Sequence, residues 1–269
     1  MALVARPRTT RVRLRRGLSR RYCNTDVYAF LFWLAVQVSQ LDRGIALIEQ
    51  GRPGDAIPLL LQSTETNNGD AVAWKALGVA YATLSQYELA EPALGQACRL
   101  APSLADACYF HGRALYALNR FESSIAALDK AGGSAKVRLG IGQALEALSR
   151  FDEAEKAMRQ AVALAKGDDP SPSVALGLLL LRTGRAQQAE VVLARAVAAF
   201  PGSAEARLNL ARTLMDRSAI ALAVPHLERA VALAPSSAQA HLLLAKAYIR
   251  QGRDKDAQPH FEAAARGAQ

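Results

Sequence analysis

Small and apolar residues return along this chain with a long period. One small residue marks each period: Ala56, Ala90, Ser124, Ala154, Ala189, Ala223 and Ala257. The intervals are 34, 34, 30, 35, 34 and 34 residues. Twelve residues before each marker lies another small residue: Gly44, Gly78, Gly112, Gly142, Gly177, Ala211 and Ala245. Within a period, apolar positions recur at three- and four-residue steps, as in Trp74, Leu77, Gly78 and Tyr81, and again in Ala90, Leu94 and Ala97. That is the stripe of an amphipathic helix, whereas a strand would alternate at every second residue.

Each period therefore predicts two helices joined by a short turn. The turn text recurs as Gly51-Arg52, Gln86-Tyr87, Arg120-Phe121, Arg150-Phe151, Gly184-Arg185 and Gly252-Arg253. Pro102, Pro201 and Pro235 close three of the periods, since a proline pushes the residue before it out of the helical region. Pro58, Pro92, Pro225 and Pro259 share one phase, two residues after their markers. That phase is expected near the first turn of the second helix, where N–H groups lack intrahelical partners anyway. The small residue in each helix lets its neighbour approach closely; larger side chains there would hold the helices apart. The third period is four residues short and ends in Asp129-Lys130-Ala131-Gly132-Gly133. Four residues are about one helical turn, so the shortening is expected to be tolerated without a hinge.

The pattern resembles the tetratricopeptide repeat family, of bacterial type, over about residues 37–269 in seven units. The family signature is W-x2-L-G-x2-Y, then A-x3-F, then P. The second unit carries it best, in Trp74, Leu77, Gly78, Tyr81, Ala90 and Pro102, with Leu94 in the place of Phe. The last unit keeps Leu244, Tyr248, Ala257 and Phe261. The resemblance implies an all-α α-solenoid of stacked antiparallel helix pairs, a right-handed superhelix with its first helices lining a concave face. It further implies that a partner lies along that face. Projecting the family's phases gives Lys75, Tyr109, Arg113, Tyr116, Gln143, Glu146, Arg182, Arg212, Lys246 and Arg250 as partner-binding candidates, with Leu178, Leu181 and Met215 as apolar spots between them. Tyr and Arg are strong interface anchors. Some family members grip a terminal carboxylate with a Lys/Asn clamp. Lys75 matches one element of it, but Val79 and Phe110 stand where its other residues belong.

Charge changes the picture mainly at one end. The 269 residues hold 33 Lys+Arg and 24 Asp+Glu, a net +9. Residues 1–22 contain eight arginines and no acid, which is +8 of that total. From residue 41 onward the balance is +2, so the repeat array is nearly neutral. Residues 1–24 read as a basic disordered segment and 25–36 as an apolar segment. The run Val27 to Val38 follows the arginines as the apolar core of an export or membrane-anchoring signal would. That is the favoured reading, with an exported location, periplasmic or membrane-anchored, and a cytoplasmic location as the alternative. A helix capping the array and a basic arm for nucleic acid are the alternatives.

No phosphate-binding glycine loop, HExxH or GxSxG motif occurs, and no catalytic constellation is expected. The function expected is a non-catalytic scaffold for a peptide or protein partner. The alternative is an accessory arm of an enzyme or envelope assembly whose catalytic part is on another chain. No cofactor, metal or nucleic acid is expected for the array. His111 is expected to be packed with one nitrogen satisfied. His226 and His260 share a phase in successive second helices, yet no third metal ligand accompanies them. Cys98 and Cys108 flank the turn at Pro102; buried free thiols are the commoner state, and a disulfide is open to an exported chain.

Overall fold

A computed structural model describes residues 40–165 and 169–267. Fourteen helices occupy these residues and no strand is present among them. Helix α1 covers residues 40–49. The others are α2 (Pro53–Thr66), α3 (Ala71–Thr83), α4 (Tyr87–Leu100), α5 (Ala105–Ala117), α6 (Phe121–Lys130), α7 (Ala135–Ala147), α8 (Phe151–Leu164), α9 (Ser171–Arg182), α10 (Ala186–Ala199), α11 (Ala204–Asp216), α12 (Ile220–Leu233), α13 (Ala238–Arg250) and α14 (Asp254–Arg266). They form seven pairs, and the expected α-solenoid is observed. The basic segment, the apolar segment and Cys23 lie outside the described residues.

The turn inside each pair repeats in atomic detail. One residue per turn is left-handed: Gly51, Ser85, Asn119, Ser149, Gly184, Ser218 and Gly252, with φ between 57° and 76°. Each lies five residues before its marker. The two N–H groups that follow each first helix bond back to its last turn, as Ser85 N to Ala82 O and Gln86 N to Tyr81 O, both 2.9 Å. This Schellman arrangement satisfies carbonyls that a helix end would otherwise leave bare. Side-chain caps open several first helices. Asp70 accepts from Val72 N at 2.9 Å, Ser203 from Ala206 N and Ser237 from Ala240 N. Ala101, Phe200 and Ala234, each before a closing proline, leave the helical region as expected. Pro58, Pro92, Pro225 and Pro259 sit at the sixth residue of their helices, a turn later than expected. Each thus removes one intrahelical hydrogen bond, and the helix continues through it.

The markers are all buried: six are 0% exposed and Ala257 1%. Ser124 is the polar exception, and its hydroxyl donates to Gly112 O at 2.7 Å. The glycines twelve residues before the markers face a large side chain of their own second helix: Gly44 meets Leu60, Gly78 Leu94, Gly112 Leu128, Gly142 Met158 and Gly177 Leu193. Without a Cβ the two backbones close on that side chain, which is how each pair packs densely. The short third pair loses its turn from α6, ten residues long against fourteen for most second helices. One apolar core nevertheless runs from Ala97 through Leu128 and Val137 to Leu180 and Ala189, so the shortening is absorbed without a break in packing. Cys98 and Cys108 are buried, as expected, but they are joined in a disulfide rather than left as thiols. The bond ties the end of α4 to the start of α5, between the second and third pairs. Antiparallel neighbours around a tight turn bring the two Cα atoms to 4.7 Å, within bonding range.

Candidate partner-binding groove

The curvature of the stack follows from which helices touch. From α3 onward each first helix contacts the next first helix: α3 with α5, α5 with α7, α7 with α9, α9 with α11, α11 with α13. The second helices contact only their sequence neighbours. A stack whose one row touches while the other fans apart curves with the touching row inside. The inner wall is therefore made of first helices, and all ten candidate residues lie on them.

The structure brings some of these together across pair boundaries. Arg113 on α5 donates to the Gln143 side chain on α7 at 2.8 Å and stands over the Tyr116 ring at 5.4 Å. Glu146 on α7 pairs with Arg182 on α9 at 3.2 Å. Tyr109 packs edge-on against Phe110 and carries the Lys136 ammonium over its face at 4.8 Å. Lys75 acts on Asp106 through its charge. Arg250 reaches the Met215 carbonyl at 3.2 Å. Arg212 and Lys246 form no ion pair among the described residues. Leu178 is exposed as expected, whereas Met215 is 6% exposed and belongs to the core.

Sequence reasoning missed two groove residues, Asp106 and Lys136. They sit on successive first helices, 30 residues apart across the shortened unit, and bond at 2.7 Å. The Lys136 hydrogen bond, with its charge, holds the Asp106 carboxyl below its ordinary range. A signal existed, since opposite charges one period apart are neighbours in a stack. The acids before the markers also have partners that the turn text contains: Arg52 with Asp55, Arg150 with Glu153 and Arg253 with Asp256, at 2.6–2.7 Å. Glu155 bridges two pairs by accepting from Arg159 and Arg185. Burial pushes its pKa up, but the two guanidinium hydrogen bonds outweigh this and hold the carboxyl below its ordinary value.

The histidines sort differently from the sequence expectation. His111 does satisfy one nitrogen, with Glu91 at 3.0 Å. His260 pairs with His241, not His226, at 2.9 Å between Nδ1 atoms. Helix α14 lays its face on α13 of its own pair, and that brings position 241 rather than the preceding second helix beside it. His241 Nε2 donates to Pro235 O at 3.0 Å. Its Nδ1 must then accept, and His260 Nδ1 donates. His226 Nδ1 is buried without a partner. Burial, reinforced by Arg207, lowers the His226 pKa; burial, then His241, lowers that of His260. Among the described residues no three His, Cys, Asp or Glu groups converge as a metal site would need. None of their helices is long and apolar enough to cross a membrane.

Sequence profiles described as tetratricopeptide repeat match residues 41–105, 109–169 and 174–237, and another of the same description matches 215–269. The chain belongs to the tetratricopeptide repeat family. No curated protein matches it. Among solved structures it is similar to a chain of the APC/C hetero-tetramer Cut9–Hcn1, with TM-score 0.62 and 18% identity over 83% of this chain. That match covers 45% of the Cut9–Hcn1 chain, so this protein spans under half its length. It is also similar to Pseudomonas aeruginosa pilF, with TM-score 0.62 and 18% identity over 78% of this chain and 97% of that one. For a thermophilic tetratricopeptide repeat protein of Thermus thermophilus, TTC0263, the values are 0.53 and 24%, over 66% and 99%. At these identities the likeness is one of fold. It agrees with the seven helix pairs and leaves the surface of each array its own.

Proposed function

We propose that this tetratricopeptide repeat protein is a non-catalytic scaffold that holds a peptide or protein segment along its concave wall. The observation that carries the reading is the inner row of touching first helices. That row presents Lys75, Arg113, Arg212, Lys246 and Arg250 without an acidic partner within ion-pair distance among the described residues, beside half-buried Tyr109 and Tyr116. Cations and aromatic rings held on rigid helices are suited to gripping a polypeptide with acidic groups. The family's fold serves protein–protein association in general, which supports the same reading.

The test is site-specific photo-crosslinking. A photoreactive residue is placed at 212 or 246 on the inner wall, or at Leu89 or Leu222, which are 52% and 62% exposed on second helices. Expected are partner adducts from the inner positions. Adducts from 89 and 222 alone would place the partner on the outer face and refute the groove.

We further infer an exported location. The arginine-rich segment ahead of an apolar run supports it, and so does the Cys98–Cys108 disulfide, a bond that persists in oxidising compartments. N-terminal sequencing of the mature protein tests it: a start beyond the apolar run is expected, and a mature soluble form keeping Met1 or Ala2 would overturn it.

A further inference from the structure

The inner wall is uneven at one step. On α3 two successive groove positions hold Val79 and Ala82; the matching positions on α5, 34 residues later, hold Arg113 and Tyr116. Small side chains facing large ones leave a hollow of about 280 Å3, lined by Val79, Ala82, Phe110, Arg113, Tyr116 and Ala117 among others. The following steps are closed by polar pairs, Arg113 with Gln143 and Glu146 with Arg182. The hollow is below the size of a small-molecule cavity, and it suits a single large side chain. The aromatic rings of Phe110, Tyr116 and Tyr87 among its lining favour a ring or a branched aliphatic group within it.

Arg113 supplies the second half of the site. Its guanidinium is exposed, spends one nitrogen on the uncharged Gln143 amide, and meets no carboxylate among the described residues. Most of its five donors remain for a ligand, in a fork that matches a carboxylate. The Tyr116 ring beneath it and the Gln143 bond beside it fix that fork at the rim of the hollow. Asp106, about two turns earlier on the same helix, is paired with Lys136.

We propose that this hollow takes one bulky apolar side chain of a partner polypeptide while Arg113 binds an Asp or Glu carboxylate one to three residues away on the same segment. That spacing follows from the reach of an extended chain, about 3.3–3.6 Å per residue. The proposal rests on the groove reading and adds to it the chemistry of the occupant.

The test uses the full chain and N-acetylated, C-amidated decapeptides, so that no terminal carboxylate is present. Each contains Phe, Leu or Ala at one position and Asp, Asn or Gly one to three residues away. Expected is a preference for Phe or Leu with Asp, with the Asn peptide at least about tenfold weaker, as loss of a charged hydrogen bond implies. Arg113→Gln should erase the Asp-over-Asn preference and keep the Phe-over-Ala preference. Ala117→Trp, at an exposed position that fills the hollow, should erase the Phe-over-Ala preference; matched thermal melts confirm that both variants fold. Equal binding of Asp and Asn peptides, or preferences unchanged in both variants, overturns the proposal. So does probe binding that appears only after residues 1–39 are deleted and ignores Arg113, which would make the apolar segment the occupant. A concentration-dependent dimer abolished by Ala117→Trp would make it a second copy. If crosslinks from 212 and 246 persist while both variants leave binding unchanged, the groove stands and this hollow falls. If those crosslinks are absent as well, the groove reading itself fails.

Discussion

Replacing Gly78 by leucine tests the repeat register at its tightest point. A Cβ built at Gly78 overlaps the Leu94 side chain, lies 2.8 Å from Leu94 Cδ2 and comes within 3.1 Å of the Leu94 backbone nitrogen. Leu94 is fully buried, so it cannot swing into solvent. Alanine at this position has two opposed effects. Overpacking costs about 1–3 kcal/mol, and the better helix propensity returns roughly 1. The sixth and seventh pairs carry Ala211 and Ala245 at the same place, which shows that the geometry can open far enough for one carbon. Leucine adds three more carbons against the α4 backbone and gains little more in propensity. We expect Gly78→Ala to cost about 1 kcal/mol and Gly78→Leu about 2–3 or more. The larger value lowers the melting temperature by roughly 5–10 °C for an array of this size. Gly54→Ala is the control: nothing lies within 4 Å of its built Cβ, and a neutral effect or slight gain is expected. Because repeat arrays unfold in segments rather than all at once, hydrogen exchange should accompany circular dichroism. The loss should concentrate in α3 and α4. Unchanged melting with unchanged protection in those two helices would refute the packing argument.

Three other outcomes are open to direct measurement. Reducing the Cys98–Cys108 bond, which closes a loop of ten residues' separation, should cost about 2–3 kcal/mol by the chain-entropy relation; urea titration with and without dithiothreitol reads it, and three free thiols in the unreduced, denatured chain would show that no bond forms. Exchanging Ser85, Ser149 and Ser218 for glycine relieves left-handed strain already borne by glycine in three sister turns, and each should be neutral to about 1 kcal/mol stabilising; a clear drop in melting temperature would contradict the turn assignment. His226 and His260 have folded pKa values depressed by burial, so the unfolded chain takes up protons first as pH falls. Stability present above the ordinary histidine pKa should therefore decline below about pH 6.5, and the decline should flatten in His226→Gln/His260→Gln; parallel slopes in both proteins between about pH 7.5 and 5.5 would refute it.

The fold was legible because its constraint is periodic. A small residue twelve positions before another, seven times over, encodes a close contact that stacked helix pairs require, and the left-handed residues fall at a fixed offset from the same markers. What stayed hidden depended on three-dimensional neighbours that the period does not name. His260 shares a phase with His226, and phase alone suggests contact; the packing of α14 on α13 gives it His241 instead. Met215 has the phase of a groove residue, yet it is buried in the core cluster that holds Leu214, Leu244 and Tyr248. The hollow between α3 and α5 could have been found only by comparing one unit with the next, since it is a difference in side-chain size at equal positions. The proline phase was right in its recurrence and a turn early in its placement, because a helix held by packing against its pair partner tolerates one missing hydrogen bond.

The distribution of ion pairs then says more about function than the total charge does. The net +9 belongs almost wholly to residues 1–22, and the array beyond residue 41 carries only +2. Within the array the acids are not spread evenly. Several at the starts of second helices are held by the turn arginines beside them, at Arg52–Asp55, Arg150–Glu153 and Arg253–Asp256. Exposed pairs of this kind contribute little stability each. Their larger effect is to neutralise that edge locally. Cations outside any ion pair among the described residues remain on the inner wall, at Lys75, Arg113, Arg212, Lys246 and Arg250, as they do on second helices, at Lys130, Lys156, Arg195 and Arg229. A nearly neutral protein can in this way present a basic groove, whose attraction for an acidic segment acts over about 10 Å at about 0.1 M salt. Partner association through this wall should therefore slow as salt rises, while dissociation, set by the hollow and the Arg113 contact, should change far less. Equal salt dependence of both rates would show that the inner cations do not steer the encounter.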